Sequence, residues 1–419
     1  MITIDPPLRI ALLSYRSKPH CGGQGIYVRH LSRELAALGH RVEVFSGQPY
    51  PELDPGPVLR EVPSLDLYRD DDPFRTPRLG EYRDWIDVLE VTAMWTGIFP
   101  EPLTFSLRAL RELKRRRGEF DVVHDNQALG YGMLGIDRLG LPLVTSIHHP
   151  ISVDRRIELR AVHGLARLSK RRWYGFVRMQ SRVARKVGDI LTVSQSSRRD
   201  ICADFKVPPA SVHVIPLGVD TRLFHPRPEA RVAGHIVAVA SADSPMKGVQ
   251  VLLRAAAKLA TERDVHVTVV GKLSAGGPTA RLIGELTLAD RVRFVHGISD
   301  SQLAALLASA EIAVVPSLYE GFSLPALEHM ASGTPLIVSQ TGGLPEVVGD
   351  AAVQVPPGDA EVLAATLREV HDSPAWRARL GAAAWYRVKE RFAWPAVATA
   401  TAERYAAAVA REERSSANR

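Results

Sequence analysis

Apolar residues in this chain come in short unbroken runs and in stripes at helical spacing, and their alternation predicts repeated strand–helix–strand units. Residues 9–14 (RIALLS) are a strand-length apolar run, followed by a loop containing Gly22-Gly23-Gln24-Gly25. Over residues 26–38, Val28, Leu31, Leu35 and Leu38 recur at the spacing of one helix face, Gly39 ends that helix, and residues 41–45 (RVEVF) read as the next strand. Further strands are expected at 121–124, 143–147 and 189–193. Between residues 48 and 105 the pattern weakens, with many prolines and the run Asp70-Asp71-Asp72. A stretch that long is either a functional loop or a set of elements the pattern does not reveal.

The alternation then begins again. Residues 214–218 (VIPLG) and 224–228, with Pro226 and Pro228, read as an exit into a linker. Strands follow at 236–240, 265–270, 292–295, 312–316 and 336–338, with helices at 249–259 and 280–286. Residues 394–411 form an Ala-rich helical tail. The expected architecture is α/β: two doubly wound Rossmann-like domains, residues 1–222 and 223–392, and a terminal helix within 393–419. Two such domains facing one another place a cleft at the carboxyl ends of both sheets.

Size and composition agree with this division. The 419 residues exceed what one core accommodates. An apolar share of 46% with 24% charged residues excludes a fibrous or disordered chain. No apolar run approaches the roughly 20 residues that span a bilayer. Residues 1–7 lack the regions of a signal peptide, and Cys21 and Cys202 alone support neither a disulfide framework nor a zinc site. A cytoplasmic protein is expected.

The net charge of +7 is concentrated at residues 114–117 (KRRR) and across 155–186. A solvated helix face, anionic lipid headgroups and nucleic acid all fit such clusters. The lipid surface is preferred to nucleic acid, which is not expected as a partner. Trp173, Tyr174 and Phe176 resemble an interfacial anchor, although aromatic residues of this kind more commonly belong to a core.

Candidate chemistry centres on the segment from Glu320 to Glu328. Gly321 permits close backbone approach, Ser323 suits a helix cap and Pro325 a first helical turn. Such a helix start presents free amides to an anion. Glu328, about one turn into the helix, suits a pair of sugar hydroxyls, and Glu320 lies across the turn. Surface carboxylates complementing the helix dipole are the plainer alternative, and the strand, glycine and capped-helix context favours a site. Lys247, before a helix of the second domain, suits a diphosphate, although exposed lysines are common. His148 and His149 end a first-domain strand and suit proton transfer or a hydrogen bond to a sugar. Gly22-Gly23 fits either a phosphate loop or a tight turn. Asp70-Asp71-Asp72, in a Pro-rich setting, reads as a solvated loop rather than a metal pair.

These residues resemble the retaining two-domain GT-B enzymes of glycosyltransferase family 4 over nearly the whole chain. The resemblance runs through Gly22-Gly23 with Val28, Leu31, Leu35 and Gly39-His40, then residues 143–148 (LVTSIH), and then Val193-Ser194 and residues 214–220 (VIPLGVD) with Phe224. Its most specific part is residues 316–320 (PSLYE) through Glu328, with Ala331, Gly333-Thr334-Pro335 and Gly342-Gly343. It implies that Gly22, Gly23 and Lys247 contact a donor diphosphate and that the backbone of Gly321, Phe322, Ser323 and Leu324 binds phosphates or sugar. Glu328 would hold ribose hydroxyls, Glu320 the transferred sugar, and His148 would lie near its reactive carbon. The tail helix would recross to the first domain.

Two departures stand out: Leu217 replaces a common Asn, and Ala240-Ser241 replaces the Gly-Arg that precedes the lysine. Ser241 therefore occupies a donor-binding position without supplying the expected cation. The implied reaction moves a hexose from a UDP- or GDP-sugar to a hydroxyl acceptor, with retention and without a metal or other cofactor. The acceptor is expected to be a sugar, polyol or lipid-linked glycan, placing the enzyme in polysaccharide or glycolipid biosynthesis, at the inner face of a membrane if the basic clusters bind lipid. A nucleotide-sugar-binding protein that has lost catalysis, and a GT-B epimerase or phosphorylase, are the alternatives.

Overall fold

In the computed structural model, which describes residues 6–18, 23–69, 71–148 and 150–417, the apolar runs are parallel strands of two separate sheets. The first contains β1 (Arg9–Ser14), β2 (Arg41–Ser46), β3 (Val58–Glu61), β4 (Val122–Asn126), β5 (Leu143–Ser146), β6 (Asp189–Thr192) and β7 (Val212–Val214). Its spatial order is β3-β2-β1-β4-β5-β6-β7. The second contains β8 (Val232–Val239), β9 (His266–Val270), β10 (Val292–Val295), β11 (Ala310–Val315), β12 (Leu336–Ser339) and β13 (Val353–Val355), in the order β10-β9-β8-β11-β12-β13. Strands covered on both faces carry unbroken apolar runs, as in β11, where every residue is buried.

Each sheet reverses its winding once. The reversal lies between β1 and β4 in the first sheet and between β8 and β11 in the second. Chain connections leave a reversal point in opposite directions, opening a crevice at the carboxyl ends of the two strands where ligands of such folds bind.

Two compact units contain these sheets. One comprises residues 1–193, 197–215 and 395–419; the other comprises 194–196 and 216–394. Each has its own core, built in the first around residues such as Leu13, Phe105, Val123 and Phe205, and in the second around Leu252, Val269, Ile312 and Leu367. The last helix, Trp394–Ala417, belongs from Pro395 onwards to the first unit. Buried Asp189 of β6 takes Arg404 at 2.9 Å and also pairs with Arg411. The Arg411 pair holds that helix to the sheet end opposite the crevice, since Asp189 opens its strand.

Residues 48–105 divide in two: up to residue 84 the described residues carry only β3 and a short turn at Leu79–Glu81. Helices Trp85–Trp95 and Glu101–Arg115 fill the second part and run beyond it. Their periodicity is masked because Trp85, Val88 and Trp95 are exposed, while Glu101, Thr104, Ser106 and Arg108 lie on the buried side of the second helix. Arg108 is tolerated there because it pairs with Asp87 at 2.6 Å and with Glu90.

Candidate functional site

The crevice of the second sheet gathers the carboxylates and the lysine. Past β8 the chain runs through Ser241 to a short helical turn at Pro245–Lys247 and then Gly248, at φ +64°. A Cβ on Gly248 would lie 1.9 Å from the carbonyl oxygen of Pro316, so only glycine lets this loop lie against the end of β11. The Leu318 amide donates to the Met246 carbonyl at 2.8 Å and closes the contact. Across it, Lys247 Nζ donates to Glu320 Oε1 at 2.8 Å, and Ser317 Oγ donates to the same oxygen at 2.9 Å.

A second glycine pair fixes Glu320 from behind. The Gly343 amide donates to the Glu320 carbonyl at 2.7 Å. A Cβ on Gly342, itself at φ +56°, would meet that carbonyl at 2.0 Å. Beyond the turn, helix Leu324–Ala331 opens with Ser323 as its cap, accepting from the Ala326 amide at 3.3 Å. The Phe322 ring is buried and meets Phe392 edge to face. The amides that open the helix, rather than the aromatic ring, are therefore what this turn can offer an anion.

Glu328 lies on the buried part of this helix. Burial, with Asp300 adding like charge, pushes its carboxyl up to about 7. A buried carboxylate of that kind gains most from partners that donate to it, such as vicinal hydroxyls.

Ser241 is exposed, and no basic side chain of its own loop other than Lys247 accompanies it. The neighbouring loop carries another basic residue. β8 and β9 pair Val239 with Val270, so Lys272 follows the end of β9 by as many residues as Ser241 follows the end of β8. The two loops are tied together: the Ala240 amide donates to the Val270 carbonyl at 3.0 Å, Thr279 Oγ1 to the Ala242 carbonyl at 2.8 Å, and the Ser274 amide to Asp243 Oδ2 at 3.1 Å. Lys272 was not a candidate in the sequence, because the adjacency of its loop to that of Ser241 follows from the strand pairing.

The first unit places His148 just past β5. Its ring Nε2 lies 2.8 Å from Asn126 Oδ1, its amide donates to Gln127 Oε1 at 2.8 Å, and its carbonyl accepts from Ser197 Oγ at 3.1 Å. Asn126 Oδ1 can only accept, so Nε2 carries the proton. Asn126 ends β4, and the backbone beyond it is unusual: Gln127 and Leu129 have φ +61° and +50°, a conformation that costs non-glycine residues energy and is concentrated at functional sites. The amides of Ala128 and Leu129 turn inward onto buried Asp125 at 3.2 and 2.9 Å. These polar positioning residues carry no sequence motif, and their one sequence signal is a run of polar residues directly after an apolar strand.

Gly23 is the first residue of helix Gly23–Ala37, so the glycine loop passes directly into a helix start. Gly25 is required there, since a Cβ would lie 2.1 Å from the Lys18 carbonyl. Gly22, Cys21, Asp70 and His149 lie outside the described residues. Asp71 and Asp72 are exposed beside Arg69, and among the described residues no group of three or more His, Cys, Asp or Glu is placed to hold a metal.

The interfacial-anchor reading of the aromatic residues is corrected. Tyr174 and Phe176 are buried in the core, and Trp173 packs on Tyr68 and Phe99 at centroid distances of 5.6 and 5.1 Å. Among the described residues no helix is long and apolar enough to cross a membrane.

Two parallel Rossmann-like sheets in separate units are the architecture of the GT-B glycosyltransferases. A model of Glycosyltransferase Family 4 matches residues 21–223, and one of glycosyl transferases group 1 matches residues 222–385. The chain is 58% identical over 408 residues to MMP alpha-(1->4)-mannosyltransferase of Mycolicibacterium hassiacum, covering 96% of this chain and 99% of the relative. It is 31% identical over 445 residues to D-inositol 3-phosphate glycosyltransferase of Thermobispora bispora, covering 97% and 96%. The chain belongs to glycosyltransferase family 4. In fold it is similar to sucrose-phosphate synthase of Thermosynechococcus elongatus, at TM-score 0.71 and 23% identity over 96% of this chain and 99% of the other. Anabaena HepE, solved with UDP-glucose, superimposes at TM-score 0.69 and 16% identity over 96% and 100%.

Proposed function

We propose that this enzyme transfers a mannosyl group, with retention, from a nucleoside diphosphate sugar to a hydroxyl of a saccharide acceptor, forming an α-(1→4) bond. The transferred sugar and linkage are suggested by the name of the relative sharing 58% identity. The observation that carries the donor site is the Lys247–Glu320 pair, which spans the reversal point beside a capped helix start.

Without donor, each member of that pair neutralises the other. A diphosphate arriving at Lys247 displaces the carboxylate, leaving Glu320 to accept from hydroxyls of the transferred sugar. The family resemblance assigns Gly22 and Gly23 to the diphosphate, the amides from Gly321 to Leu324 to phosphate or sugar oxygens, Glu328 to the ribose hydroxyls and His148 to the transferred sugar. The acceptor hydroxyl attacks from the side the diphosphate leaves and gives its proton to a leaving phosphate oxygen, so the C1–O bond to phosphate breaks as the new C1–O bond forms. Cationic side chains and helix amides carry the developing negative charge, and turnover is expected to persist in EDTA.

In this reading the cation missing at Ser241 is Lys272. Lys272→Ala is expected to lower kcat about 10²-fold, the scale of losing one group that stabilises transition-state charge. Adding Ser241→Arg to that variant is expected to restore most of the loss. A kcat unchanged by Lys272→Ala would remove Lys272 from the site and leave the rest of the proposal standing. The donor itself is tested by thermal shift with GDP-mannose, UDP-glucose and the free diphosphates, because a ligand bound by the native state raises Tm. A nucleoside diphosphate mannose is expected to stabilise most, and no response to any nucleotide sugar would refute the donor site.

A further inference from the structure

A chain of buried hydroxyl and imidazole groups runs through the first unit from its last helix to His148. Tyr405 is fully buried, and its Oη lies 2.5 Å from His124 Nδ1. His124, in the middle of β4, places Nε2 2.7 Å from Ser146 Oγ at the end of β5. Ser146 Oγ is 3.2 Å from Tyr27 Oη. The Tyr27 ring in turn meets the His148 imidazole edge to face, with centroids 4.7 Å apart and planes at 76°. None of the four linked side chains exceeds 4% exposure.

The chemistry of these links is restrictive. Burial, with His148 adding to it, holds His124 down to about 3, so its ring is neutral and has one donor and one acceptor nitrogen. The Tyr405 and Ser146 hydroxyls therefore take opposite roles on the two ring nitrogens, one donating and the other accepting, and removing either leaves a buried ring nitrogen without that hydrogen bond. The Tyr27 ring stands one helical turn from Gly23, so its position bears on both the glycine start and His148. Tyr405 reaches this chain from a helix that enters the first unit only at Pro395.

We propose that Tyr405 is a positioning residue: its hydroxyl, acting through His124, Ser146 and Tyr27, fixes the placement of the His148 imidazole, so that docking of the last helix sets the geometry for sugar transfer. The consequence for catalysis rests on the assignment of His148 to the transferred sugar; the structural relay does not. Removing the Tyr405 hydroxyl keeps the ring and most of the packing, but opens the first link and releases the orientation of the rest. The helix itself remains held through Arg404 and Arg411 on Asp189.

The test uses the full-length chain carrying Tyr405→Phe, with Ser146→Ala opening a middle link as a second variant should the first fail to fold. Well below Tm, kcat is expected to fall about tenfold, the effect of a small misplacement at a reacting centre, with KM for the donor nearly unchanged. In the ligand-free protein, the imidazole NMR resonances of His148, assigned by their loss in His148→Gln, are expected to shift in both variants. If Tm falls while kcat and the His148 resonances stay as in the wild type, Tyr405 is merely structural and the proposal is overturned. The resonances report on the relay even if the chain transfers no mannose, so the two readings fail separately.

Discussion

Glu320→Ala is expected to lower kcat roughly 10²-fold while changing donor affinity little. The carboxylate would accept from hydroxyls of the sugar in flight, and a hydrogen bond to a charged group contributes about 1.5–3 kcal/mol, where 1.4 kcal/mol is about tenfold in rate. Affinity is protected by a compensation visible in the structure. Glu320 pairs with Lys247 at 2.8 Å, so its removal releases the lysine for the diphosphate. Steady-state kinetics with isothermal titration of the donor separates the two effects. A variant that loses affinity tenfold but keeps kcat would place Glu320 on the nucleotide instead.

For Glu328→Gln the expected result is opposite in sign for stability and function. The Glu328 carboxyl sits at about 7 in the folded protein against an ordinary 4.5, chiefly because it is buried and secondly because of Asp300. A raised acid binds its proton more tightly when folded, so it favours folding fully below pH 4.5, and that contribution is lost as pH rises through 7. Each pH unit of the gap is worth about 1.4 kcal/mol, which makes the charged form about 3 kcal/mol costly at pH 8. Glutamine carries no charge. The variant is therefore expected to melt above the wild type at pH 8 and close to it at pH 4. Donor affinity is expected to fall about 10- to 100-fold at pH 8, since the charged acceptor is gone. Wild-type affinity is expected to rise between pH 6 and 8 as the carboxylate forms, and the variant's to stay flat. A lower Tm at pH 8 together with unaltered binding would return Glu328 to an ordinary helix position.

Much of the fold was legible because strands covered on both faces must be apolar along their whole length. Residues 9–14 and 312–316 announced themselves in that way, and β1 is Arg9–Ser14 while β11 is Ala310–Val315. Helix Trp85–Trp95 did not, since exposed Trp85, Val88 and Trp95 blur the period set by Ile86, Val91 and Met94. The turn from Glu320 to Glu328 was readable from local chemistry alone: a strand, a glycine, a capping serine and a proline.

Residues joined across long sequence distances were not readable. The loop of Lys272 is brought next to that of Ser241 by the pairing of β8 with β9, and Tyr405 meets His124 from 281 residues away. Asn126 and Gln127 belong to the same class, being polar residues whose role appears once β4 and β5 lie side by side and His148 closes over them. Trp173, Tyr174 and Phe176 stood between an interfacial anchor and a core for the same reason, because the partners they pack on, Tyr68 and Phe99 among them, lie more than one element away.

The central claim is a sugar transfer that preserves the anomeric configuration. Proton NMR of the first product formed from GDP-mannose and a mannoside acceptor, read before any equilibration, tests it most directly. An α-linked mannosyl product from the α-linked donor is predicted; a β-linked product, or no transfer with GDP-mannose or any other nucleotide sugar of the panel, would contradict it.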